Sequence, residues 1–153
     1  MNIEQANIKD SEEILSLQKL AYQSEAKIHG DFQIPPLTET MEELKDKFKT
    51  HLFLKAIVDG KIVGSVRVAQ KDGACYVGRL MVHPDFQNQG VATKLLYESE
   101  RRFSNCSRFE LFTGRRSEKN IRLYEKLGYK QFRNEQADDN LYLVYLEKVK
   151  QPQ

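Results

Sequence analysis

The spacing of apolar positions changes period several times along the chain, and each change predicts a boundary. Ile14, Leu15, Leu17, Leu20 and Ala21 fall on one side of a helix running from Ser11, a plausible N-cap followed by Glu12 and Glu13, to about Lys27. Ahead of it, residues 2–6 can form a short strand. Met41, Leu44 and Phe48 make the stripe of a second helix capped by Thr38 or Thr40. Between the helices, residues 30–37 are a breaker region, because Pro35 and Pro36 donate no backbone hydrogen bond and turn their predecessors away from helix.

From Leu52 the pattern turns to strand. Residues 52–58 and 61–70 are β-rich runs joined by Asp59-Gly60, a dipeptide suited to a two-residue hairpin, and Lys71-Asp72-Gly73 leads into a third run over residues 74–82. Gly78 interrupts that run, which suggests a bulge or a close backbone approach. Val91, Leu95, Leu96 and Tyr97 then recur with helical spacing to about Phe103, and residues 108–113 alternate as a strand. Strand, helix, strand in one sheet makes the two strands parallel. Ser117 is a fitting N-cap for a helix carrying Ile121, Leu123, Tyr124 and Leu127 and stopped by Gly128. Residues 129–132 and 141–146 close the chain as antiparallel strands around the polar loop 134–140.

The turn Gln87-Asn88-Gln89-Gly90 sits between the third strand run and the following helix. Its single glycine lets the backbone come close to a ligand, and the orphan N–H groups of the helix start, with the positive end of the dipole, favour an anion such as a pyrophosphate. The Walker ending Gly-Lys-Ser/Thr is missing, and one glycine does not make a dinucleotide fingerprint.

Gln87-x-x-Gly90-x-Ala92, preceded by Leu80-x-Val82-x-Pro84 and followed by Leu95-Leu96, resembles the acetyl-CoA-binding motif of the GNAT superfamily of N-acetyltransferases. Tyr124, Gly128 and Tyr129 resemble the family's second cofactor motif; seven positions before the tyrosine stands Ser117 where the family usually has Asn, while an asparagine occupies position 120. The resemblance is dense in the second half of the chain and architectural in the first. It implies an α/β (α+β) fold: a mixed, mostly antiparallel sheet of six to seven strands, helices on both faces, and a parallel, splayed central strand pair. It also implies cofactor contacts from Leu80, Met81 and Val82, from Gln87, Asn88, Gln89, Gly90, Val91, Ala92 and Thr93, and from Tyr124 with either Ser117 or Asn120.

Composition agrees with a single domain over residues 1–149 and a short tail over 150–153. The chain has 153 residues, 40% hydrophobic and 30% charged, with a formal net charge of +2. Bulk electrostatics therefore does not indicate nucleic-acid binding. No apolar run approaches a membrane span and the first residues lack a signal pattern, so the expected address is the cytoplasm. Cys75 and Cys106 lack CxxC spacing, and His29, His51 and His83 show no ligand spacing; no metal is expected.

Acetyl transfer to an amine needs a proton acceptor, a donor to the oxyanion and an acid for the departing thiolate. The resemblance implies Tyr124 as the acid, with a backbone N–H of residues 80–82 polarising the carbonyl. The resemblance makes Glu110 the best internal candidate for the base, since other relatives use a glutamate there; Glu25 acting through water is a second, and desolvation of the amine with no dedicated base is a third. Tyr22, Glu25, His29 and Asp31 surround the proline loop, where the family builds much of its acceptor site, and their acidic members favour a cationic small molecule. The resemblance thus implies an acetyl-CoA-dependent N-acetyltransferase attacking directly in a ternary complex. A non-catalytic acyl-CoA sensor and a protein N-terminal or lysine acetyltransferase are the alternatives. Dimers are frequent in the family, and no stretch here identifies an interface.

Overall fold

Asp59 and Gly60 both adopt positive φ, 49° and 77°, and so form the tight hairpin between β2 (Leu52–Val58) and β3 (Lys61–Lys71). Asp72 and Gly73 repeat the device before β4 (Ala74–Val82). In the computed structural model, which describes residues 1–150, these strands are the middle of a seven-stranded sheet ordered β1-β2-β3-β4-β5-β7-β6. The outer members are β1 (Asn2–Gln5), β5 (Arg108–Gly114), β6 (Lys130–Gln136) and β7 (Tyr142–Val149). Every neighbouring pair is antiparallel except β4 and β5. Of the expected tail, residues 151–153 lie outside the described residues.

The helices divide between the two faces. α5 (Val91–Arg102) and α6 (Glu118–Lys126) cover one side, where Leu95, Leu96 and Tyr124 pack with Val66, Cys75, Phe109 and Leu111. On the other, Ile14, Leu15 and Leu17 of α1 (Ser11–Ala21) and Leu44 of α4 (Met41–Lys47) bury Phe53, Ile62 and Met81. Thr40 caps α4 through a reciprocal pair of hydrogen bonds with Glu43.

Three local expectations change. The long first helix breaks at Tyr22 (φ −85°, ψ 1°) into α1 and α2 (Gln23–His29), and Ser11 is the first helical residue, its hydroxyl donating to the Ile8 carbonyl at 2.6 Å. The proline segment holds one helical turn, α3 (Pro35–Thr38), because prolines at the first two positions would have had no N–H partner in any case. β6 runs on into the expected polar loop, since pairing with β7 continues to Gln136↔Tyr142 although every β6 residue is exposed.

β4 and β5 separate. Their parallel pairing comprises Ala74↔Arg108, Cys75↔Phe109 and Tyr76↔Glu110, after which the six last residues of β4 and the four last of β5 have no mutual partner. The register of β3 against β4 shifts between Ser65↔Met81 and Arg67↔Gly78, so β4 carries an extra residue next to Gly78. The residue in the strained conformation is Arg79, at φ 50°.

Candidate active site

The separation of the two strands opens a cleft of about 1060 Å³ that continues past α2, α3, the start of α5 and α6. At one end is the turn before α5. Asn88 (φ 62°) and Gly90 (φ 81°) are both left-handed, which turns the backbone so that consecutive amides face outward. Among the described residues no protein atom accepts from any backbone amide of residues 87–93. The side chain of Gln89 folds back toward the Asp85 carbonyl at 3.4 Å, and Gln89 is the one residue of the turn that does not line the cleft. Gln87, Asn88, Gly90, Val91, Ala92 and Thr93 do line it. Lys119, Arg122 and Lys126 of α6 line it too, and among the described residues none is in an ion pair.

The middle of the cleft is formed by the parted strands, with Leu80, Met81 and Val82 on the β4 side and Leu111 to Gly114 on the β5 side. Tyr124, 5% exposed, reaches the cleft from α6, and its hydroxyl has no hydrogen-bond partner among the described residues. Burial raises the Tyr124 phenol pKa well above its ordinary value, with Tyr22 and Glu25 adding to the effect, so the proton is held at neutral pH.

Ser117 and Asn120 are joined through one carboxylate. Ser117 donates its hydroxyl proton to Glu25, and Asn120 Nδ2 donates to Glu25 Oε1 at 3.2 Å. Ser117 occupies the N-cap position of α6 at φ −81°, ψ 64°, outside the extended region of a usual cap, and makes no side-chain capping bond. His29 completes the joint: Nδ1 lies 2.9 Å from the Glu25 carbonyl, and Nε2 accepts from the Arg116 amide at 3.3 Å, a pair that specifies the neutral Nδ1–H tautomer. Its ring lies against Gly114, where an added Cβ would stand 2.2 Å from Nε2. α2 is thereby clasped to the β5–α6 connection.

Glu110 and Asp31 stand elsewhere. Glu110 sits on the last paired rung of β4 and β5, below the point of separation, where Arg108 Nη2 donates to it at 2.5 Å; it does not line the cleft. Strand alternation turns Phe109 and Leu111 to the helix side and Glu110 to the opposite face. Asp31 accepts from the Gln33 amide at 2.8 Å and is also outside the cleft lining.

Behind the cleft lining, next to Arg79, lies a buried polar cluster that sequence reading missed. Glu39 takes both Arg67 Nη1 (2.9 Å) and Nη2 (2.7 Å), and Gln18 Nε2 donates to it at 2.9 Å and also to the Pro36 carbonyl. Arg79 Nε stands 3.6 Å from Glu39 Oε1. Burial alone would raise the Glu39 carboxyl; the hydrogen bonds from Arg67 and Gln18 and the charges of Arg67 and Arg79 bring it down to about 2. Tyr22 lies alongside, its hydroxyl 3.5 Å from the Leu80 carbonyl, and burial pushes its phenol up to about 12 against the pull of Arg79. The available signal was a charge within an apolar run, at Val66-Arg67-Val68 and Gly78-Arg79-Leu80.

Comparison with known proteins agrees with this arrangement. An acetyltransferase of Pectobacterium atrosepticum is 37% identical over 83 residues, a match covering 51% of this chain and 57% of that protein's length. The PaiA N-acetyltransferase of Thermoplasma acidophilum, solved in complex with coenzyme A, superposes with a TM-score of 0.79 at 19% identity over 98% of this chain and 100% of its own. A ribosomal-protein-alanine N-acetyltransferase of Escherichia coli gives 0.81 at 14% identity, covering 97% and 92%. The sequence profile of the acetyltransferase (GNAT) domain matches residues 20–150. With a profile match over most of its length, a parallel strand pair that parts and a helix start with free amides, the chain belongs to the GNAT family of acetyltransferases.

Proposed function

We propose that this chain moves the acetyl group of acetyl-CoA to a primary amine of a small molecule by direct attack in a ternary complex, in the cytoplasm. One observation carries the reading: the free amides of residues 87–93 and the unpaired edges of β4 and β5 share a single cleft. Seven successive donors at the start of a twelve-residue helix suit a diphosphate, and unpaired strand edges suit the amides of a pantetheine arm. Lys119, Arg122 and Lys126 add positive charge on the same side. The Thermoplasma acidophilum relative binds coenzyme A, which supports the same ligand here.

Acetyl-CoA, when bound, supplies a thioester, so that an N–C bond forms while the C–S bond breaks, the amine loses a proton and the sulfur gains one. The Tyr124 phenol, which reaches the cleft from α6 with no hydrogen-bond partner among the described residues, donates to the sulfur. Backbone N–H groups around Leu80 on the bulged β4 polarise the acetyl oxygen. Glu25, inside the cleft and held by Ser117 and Asn120, is better placed than Glu110 to receive the amine proton through water.

Thermal unfolding in the presence of acetyl-CoA, CoA or ATP, followed by thiol release with an amine panel, tests this. Acetyl-CoA should raise Tm and thiol should appear only with an amine present. No shift contradicts the reading; a shift without thiol release from any amine supports a non-catalytic acyl-CoA sensor.

A further inference from the structure

Arg67 and Arg79 face one carboxylate, Glu39, whose single negative charge is already held by Arg67. Both of its oxygens accept from Arg67, and Oε1 accepts from Gln18 as well. Among the described residues the Arg79 side chain has one partner, Glu39: Nε, sealed from solvent, stands 3.6 Å from Oε1, long for a hydrogen bond, and neither terminal nitrogen finds an acceptor. The side chain is only 20% exposed, and burial lowers its pKa, a sign of a charge kept short of solvation. A guanidinium in that position is costly unless an anion completes it. Its backbone is strained as well, at φ 50° in the β4 bulge, and the bulge is what turns this residue into the cleft.

The surroundings say which anion. The diphosphate donors lie at the other end of the cleft, at the start of α5, so Arg79 is not needed there. Near Arg79 the lining is Tyr22, Ile34, Pro35 and Pro36, an apolar and aromatic wall from α1 to α3. Tyr22 feels the charge of Arg79, and the Tyr124 phenol feels Tyr22, which puts the guanidinium and the reacting end in one neighbourhood. The two acidic residues expected to attract a cation are engaged or remote, Glu25 with Ser117 and Asn120, and Asp31 outside the lining.

We infer that the acceptor is an α-amino acid or a close derivative with a free carboxylate beside its amine, and that Arg79 is the group that binds this carboxylate in the cleft. This rests on the acetyl-transfer reading and narrows its substrate class. A planar guanidinium with two free terminal nitrogens suits a carboxylate bidentately, whereas a polyamine or a peptide N-terminus brings no anion to it.

The experiment compares kcat/KM for L-amino acids with aliphatic or aromatic side chains, for the amines made by removing their carboxylates, for the corresponding amino-acid amides and for spermidine. Wild type should prefer the carboxylate-bearing members by roughly 10- to 100-fold, the value of a charge-assisted hydrogen-bond pair. In Arg79→Met that preference should collapse toward unity, through KM, and Arg79→Lys should retain part of it. The Tm rise with acetyl-CoA should persist in both variants, which shows that they fold. Equal use of acids and amines, a preference for amides or spermidine, or a preference unchanged in Arg79→Met overturns the assignment while the acetyl-transfer reading stands. If no member turns over, calorimetric titration of the same amino acids into the CoA-loaded protein decides, and absence of binding overturns it. Loss of the wild-type response to acetyl-CoA removes both readings.

Discussion

Arg67 and Arg79 approach the same carboxylate, yet their removal should differ in cost. Arg67→Met strips Glu39 of its bidentate partner inside the protein, and breaking such a pair costs about 3 kcal/mol or more. Arg79→Met removes a 3.6 Å ion pair and leaves both Arg67 bonds to the carboxylate in place, so its cost should be well below that of Arg67→Met; urea unfolding of the two variants checks the contrast. The Glu39 carboxyl lies near 2 when folded against about 4.5 ordinarily, so its stabilisation is present above about pH 4.5 and is lost as pH falls toward 2. Comparing unfolding of wild type and Glu39→Gln from pH 6 to pH 2 should show the difference between them shrinking over that window. At the reacting end, Tyr124→Phe should lower turnover by roughly 100-fold, the scale of general acid catalysis, with acetyl-CoA affinity nearly intact. Unchanged turnover removes the acid role.

Between elements, α5 approaches β3 closely at Gly64. A Cβ on Gly64 would stand 2.7 Å from Val91 Cγ1 and 3.2 Å from the Met81 carbonyl oxygen, and Val91 is the first residue of α5. Gly64→Ala should therefore displace the helix start, costing about 1 to 3 kcal/mol and weakening acetyl-CoA binding together; denaturation and ligand-dependent Tm shifts measure the two effects. What was legible in the chain follows the same logic of local against distant causes. The hairpin at Asp59-Gly60 and the turn ending in Gly90 need particular backbone conformations that short strings announce. The break at Tyr22 was hidden because the apolar stripe runs on through it, and the length of β6 because an all-exposed strand has no alternation to read. In the site, Glu110 looked available on its strand, but only the register of β4 against β5 and the presence of Arg108 show it below the opening. Arg79 and Glu39 meet across distant parts of the chain, and no spacing rule pairs them.

At the scale of the molecule, the sheet is a device for holding two strands apart. β3 supports β4 on one side and β7 supports β5 on the other, so the gap between them persists without collapsing into a ladder. α2 is fastened beside that gap through His29 with Arg116 and Gly114 and through Glu25 with Ser117 and Asn120, and α5 aims its free amides at the end of it. The central claim is that these amides and strand edges form one acetyl-CoA site. Backbone amide chemical shifts followed by NMR during acetyl-CoA titration test it most directly. Binding at this site predicts large, saturable shifts for residues 87–93 and for the unpaired part of β4, with β1 and β2 unaffected; a titration that leaves the amides of residues 87–93 in place contradicts it.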